Sequence, residues 1–204
     1  MNNKSFSGEK ALSFGWSTFK ANIVFLLSLA LIPFAISFVS NRLQDSLSEV
    51  AVMSMIIGLG SWLLSALINI GIIKIALKFV DGKKGEFSEL FSGGKLLLNF
   101  LLTSILYGLI VLAGLILLVV PGIIWAIKYQ YSLYLVVDKN MSPMQAIKTS
   151  GKMTSGVKWS LLGFAIIILL INLLGVLALG IGVLVSTPVT FLAVAHVYRQ
   201  LGKQ

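Results

Sequence analysis

Long apolar runs alternate with short polar intervals along the whole chain. A helix of roughly 20 apolar residues is enough to cross ~30 Å of hydrocarbon, and on that measure the pattern predicts six spans. They lie at about 21–40, 51–79, 96–120, 122–138, 159–175 and 181–198. Pro33 should kink the first, and the second is long enough that it has to tilt or project from the bilayer. Pro121-Gly122 interrupts the apolar run after 120, so the third and fourth spans are expected as an antiparallel hairpin turning at that dipeptide.

Three polar stretches carry a weaker, helical period. Leu12, Gly15, Trp16, Phe19 and Ile23 recur on one face opposite Lys10, Ser13, Ser17 and Lys20, with Ser7 as N-cap, Glu9 in the first turn and Trp16 at headgroup level. Phe87, Leu90, Phe91 and Gly94 repeat the spacing. Ser142-Pro143-Met144-Gln145 reads as a capping box, followed by a helix with Ala146, Ile147, Ser150, Met153 and Val157 opposite Lys148, Lys152 and Ser155. The fold expected is therefore an all-α membrane protein, a single integral membrane domain over 1–204, with six transmembrane helices and three interfacial amphipathic ones.

Composition fits the pattern: 204 residues, 57% hydrophobic and 11% charged, against a usual soluble content of about a quarter charged. No removable leader is evident ahead of the first apolar run, so the first helix is expected to be retained. The expected loop between the first two spans holds Arg42 against Asp45 and Glu49, and all the remaining excess of the +9 net charge falls on the other side. The positive-inside rule then places both termini and the long polar loops in the cytoplasm of a plasma (inner) membrane protein. The basic residues are scattered at span ends and form no arm or patch, which argues for anionic lipid headgroups as partners and against nucleic acid. A protein partner or homo-oligomer stays open.

Interfacial helix, outward span and inward span recur with starts near Ser7, Glu86 and Ser142. Phe79-Val80-Asp81 and Val136-Val137-Asp138 occupy matching places. Either this is a threefold hairpin repeat about an axis along the membrane normal, or three hairpins of like topology simply look alike.

The stretch PGIIWAIKYQYSLYLVVDKNMSPMQAIKTSGKMTSGVKWSLLGF resembles the DUF975 family of uncharacterised six-span membrane proteins. A weaker likeness is to the membrane domain attached to some glycerophosphodiester phosphodiesterases. The matching features are Pro121-Gly122, Tyr131, Asp138, Ser142-Pro143, Ala146, Ser150, Gly156, Trp159 and Gly163. The resemblance implies a six-helix membrane protein and supplies no catalytic residue.

On the fourth span Lys128, Tyr131, Tyr134 and Asp138 are spaced three, three and four apart, within about a third of the circumference of one continuous helix. A lysine near mid-bilayer costs about 2.5–3.5 kcal/mol, so Lys128 should face a cavity or a partner. Two readings stand. In one, Lys128 is the cation and Gln130, Tyr131 and Tyr134 the hydrogen-bond donors of a pocket for an anionic or zwitterionic headgroup or small solute, with Asp138 at its inner end. In the other, Lys128 snorkels and the tyrosines are interface anchors.

Lys74 and Lys78 are expected at the cytoplasmic headgroups, as are Lys148 and Lys152. Asn69, Asn99 and Asn172 suit interhelical hydrogen bonds, and the pairs Ser54/Gly58, Ser61/Ser65 and Ser104/Gly108 suit close packing. His196 reads as an interface residue. Ser92-Gly93-Gly94-Lys95 lacks the spacing of a phosphate loop. The chain has no Cys and one His, no paired intramembrane carboxylates and no nucleophile elbow. A non-enzymatic, lipid-associated or partner-binding module without a cofactor is the first expectation, and a small transporter with a cavity beside the fourth span is the alternative.

Overall fold

In the computed structural model, which describes residues 5–46, 51–178 and 180–203, no strand occurs among the described residues. The helices are α1 (Gly8–Ala21), α2 (Ile23–Ser46), α3 (Ala51–Val80), α4 (Leu97–Leu117), α5 (Val119–Tyr129), α6 (Ser132–Lys139), α7 (Pro143–Met153), α8 (Lys158–Leu177) and α9 (Val183–Gly202). Four helical segments are long and apolar enough to cross a membrane: Ile23–Ser46, Ala51–Val80, Phe87–Leu117 and Lys158–Leu177. Their surfaces are inverted relative to a soluble bundle. Phe38, Ile116, Leu169 and Leu177 are exposed while Thr103, Ser186 and Thr190 are buried, an arrangement that suits a hydrocarbon solvent.

Several expected elements are shifted. The polar segment after Ser40 stays helical through Ser46, so α2 runs past its expected end and carries Pro33 without interruption; Glu49 lies outside the described residues. The stretch around Phe87 forms two short 3₁₀ turns, Phe87–Phe91 and Gly94–Leu96, with Leu90 buried and Phe87 and Phe91 exposed. The hairpin between the third and fourth spans breaks at Leu118, in extended backbone, and not at Pro121-Gly122. The proline is still the cause. Its ring excludes a helical carbonyl four residues earlier, and that residue, Leu117, is the last of α4.

The expected fourth span is not one helix. It divides into α5 and α6 at Gln130-Tyr131, and α7 supplies the reason. The Ser150 hydroxyl accepts from Tyr131 N at 3.3 Å and donates to Lys128 O at 3.1 Å, and the Thr154 hydroxyl donates to the same carbonyl at 2.9 Å. Backbone groups freed by the break are thus taken up by side chains, as burial requires. α7 follows the pattern over Ala146, Ile147, Ser150 and Met153, all buried, but it ends at Met153, and Val157, also buried, is the N-cap of α8. Ser142 is its N-cap and Pro143 its first residue, but no side-chain bond closes the capping box. Ser142 is exposed, and water can satisfy the first-turn amides there.

α9 is the central helix, packed against α1, α2, α3 and α8. A helix surrounded by protein needs small and polar residues, and this explains Ser186, Thr190, Ala193 and Ala195 on a buried surface in place of lipid-facing Leu. Asn172 on α8 makes the expected interhelical bonds, to Ser186 and Thr190. Asn69 does not, since its amide donates to Ser65 O on its own helix.

The close-approach glycines are also not the expected ones. Gly58 and Gly108 face open space, whereas a Cβ on Gly15 would lie 2.4 Å from Val189 O on α9. α1 is therefore seated on α9, with Ala11, Gly15 and Phe19 buried and Trp16 exposed. Its start is as expected: Ser7 Oγ accepts from Lys10 N at 3.2 Å. Gly15→Leu should accordingly lower stability by about 1–3 kcal/mol, the usual cost of overpacking, read as a reduced melting temperature in detergent, whereas Gly58→Leu should leave it within experimental error.

Candidate functional site

The residues expected on one stripe fall into two separate places once the helix is broken between them. Asp138, at the end of α6, joins a charged cluster with Arg199 of α9 and Asp81, just beyond α3. Arg199 donates from Nε and Nη2 to the two Asp81 oxygens at 3.0 and 2.8 Å, and from Nη1 to Asp138 Oδ2 at 2.7 Å. The Tyr198 hydroxyl donates to that same Oδ2 at 2.7 Å. One guanidinium thus uses its planar fork to tie together the ends of three helices. Beneath it lie Tyr131, Tyr134 and Tyr198, with ring centroids 5.3–6.0 Å apart. Tyr131 is 1% exposed. These tyrosines form a packed aromatic core to the cluster.

Lys128 lies on the other side of the break. It lines a wide concavity of about 670 Å³ with Tyr129, Lys148, Gly151, Lys152, Ser155 and Lys158. Its ammonium sits 4.9 Å from the Tyr129 ring centroid, a cation–π contact. Gln130 does not line this space, and its amide donates to Ile127 O at 3.1 Å. Lys128 on α5, Lys148 and Lys152 on α7, and Lys158 at the start of α8 therefore belong to one basic basin, with no carboxylate among its lining residues. Lys128 thus shares this basin with Lys148, Lys152 and Lys158 and not with the other residues of its expected stripe, and Lys158 was not among the expected site residues. The available signal for Lys158 was its place beside Trp159, a pair suited to the membrane interface.

Lys74 and Lys78, expected at headgroups, hold the 3₁₀ turn to α3. Lys74 Nζ donates to Ser92 O and Oγ at 3.1 and 2.9 Å, and Lys78 pairs with Glu89. His196 joins α9 to α1: Phe14 stacks on its ring at 4.8 Å, and Gln200 bridges it to the Ser7 backbone.

The chain is similar to the uncharacterised protein Rv2560 of Mycobacterium tuberculosis, with 30% identity over 132 residues. The match covers 64% of this chain, which spans 40% of the length of that relative. No family model and no solved structure matches the chain. The similarity to an uncharacterised protein and the four long apolar helices agree with an integral membrane protein.

Breaking a buried ion pair by removing one partner costs about 3–5 kcal/mol, and the 24% side-chain exposure of Arg199 discounts that figure. Arg199→Met should cost about 1–3 kcal/mol in thermal unfolding in detergent. Asp138→Asn, whose side chain is 14% exposed, should cost more than Asp81→Asn, at 39%; equal effects would show that the cluster does not carry the helix ends.

Proposed function

We propose that this protein is a six-span, non-enzymatic module of the plasma membrane, with both termini inside, that associates with anionic lipid at its cytoplasmic face. The observation that carries the reading is the four-lysine basin beside the inner ends of the helices. Basic residues near an anionic leaflet contribute roughly 1 kcal/mol each to lipid association. The α5–α6 pair and α9 supply the two spans beyond the four that are long and apolar enough alone. Asp81, Asp138 and Arg199 converge at one end, as helices crossing in the same direction require. The DUF975 resemblance, concentrated in the stretch that forms α5–α8, fits the same six-span reading.

The transporter alternative needs a cavity lined by both Lys128 and Tyr131. It is the weaker reading, because Tyr131 is packed among tyrosines while Lys128 faces the basin across the helix break.

Lipid extracted with the protein in a mild detergent tests the proposal. Anionic phospholipid should be enriched severalfold over its share of the host membrane, and a bound fraction with the composition of the bulk membrane would overturn it.

A further inference from the structure

The basin does not end at its lysines. Lys158 also forms the rim of a second, apolar groove of about 190 Å³ between α5 and α8, walled by Ile123, Ile127, Trp159 and Leu162. The two share that residue in their linings. α8 runs from Lys158 to Leu162 as it enters its apolar stretch, and α5 runs alongside from Ile127 back toward Ile123, so the groove leads away from the charged rim into the hydrophobic zone. Trp159, 75% exposed, lines the groove next to Lys158, and an indole is suited to the headgroup boundary. The first turn of α8 has no side-chain cap and no acidic residue, so its amides add positive potential at the rim.

We propose that basin and groove together form one binding site for a single anionic phospholipid, an inference that rests on the lipid-associated reading above. The phosphate-bearing headgroup lies among Lys128, Lys148 and Lys158, and the upper part of one acyl chain lies in the α5–α8 groove against Ile127 and Leu162. Charge complementarity selects the headgroup, since lysines converge there with no carboxylate in the lining. The adjoining apolar slot separates a lipid from a free phosphate or a soluble phosphate ester, which has nothing to place there. Gly151 keeps the floor of the basin low. A Cβ at that position would come within 3.2 Å of both Lys128 Cε and the Tyr129 ring, so a larger residue would displace the lysine from its place.

The full chain, purified in a non-ionic detergent and titrated with lipid under native mass spectrometry, supplies the test. Dioleoyl phosphatidylglycerol should bind as one tight equivalent, at least tenfold more strongly than dioleoyl phosphatidylcholine. K128Q/K148Q/K158Q should lose at least tenfold for phosphatidylglycerol with little change for phosphatidylcholine. Leu162→Trp, which fills the groove and leaves the charge intact, should also weaken phosphatidylglycerol severalfold. Inorganic phosphate and glycerophosphoglycerol should not compete at equal concentration.

Competition by either soluble compound as strong as by whole lipid would overturn the proposal in favour of a phosphate site. Unchanged phosphatidylglycerol binding in the triple lysine variant, with the variant's melting temperature preserved, would overturn this site while the anionic preference of the protein stands. A wild-type protein with no preference for phosphatidylglycerol would remove the lipid-associated reading as well.

Discussion

Arg199 satisfies two carboxylates from helix ends that are far apart in sequence, and the packing of α3, α6 and α9 at that end depends on the shared guanidinium. Asp81 receives two of its donors and Asp138 a third, reinforced by the Tyr198 hydroxyl. With its C-terminal end fixed in this way, α6 packs against α3, α4 and α7 as a helix of eight residues, far too short to cross a bilayer alone. It can take that position because the preceding helix breaks at Gln130-Tyr131, and the break is sustained by hydroxyls of α7. The same contact seats α7 against α5 and so brings Lys148 and Lys152 to Lys128. The clasp and the lysine basin are two ends of one chain of contacts.

That chain of contacts explains which features were legible in advance. The buried face of α7 follows from helical period alone, and so does the Ser7 cap, because both depend on residues within a few positions of each other. Proline's exclusion of the carbonyl at Leu117 is equally local, although it moves the hairpin break to Leu118 from the expected dipeptide. The division of the fourth span was not legible. Nothing in the apolar run from 122 to 138 signals a break, since the groups that sustain it, Ser150 and Thr154, lie about twenty residues further on and become partners only after packing.

The same limit applies to Arg199, whose partners are 118 and 61 residues away, and to the central helix α9. Its small and polar residues lower its hydropathy because it faces protein on most sides, so a hydropathy pattern understates it. Asp81 and Asp138, which occupy matching places in sequence, bind the same arginine near the end of α9.

In the proposed topology the Arg199 cluster and the lysine basin lie on the cytoplasmic side of a six-span protein. The chain has no native Cys, so single cysteines report without background. In intact cells treated with a membrane-impermeant maleimide, Ser155→Cys in the basin should stay unlabelled until the membrane is permeabilised, while Asn41→Cys at the far end of α2 should label at once. Labelling of Ser155→Cys from outside intact cells would contradict this topology.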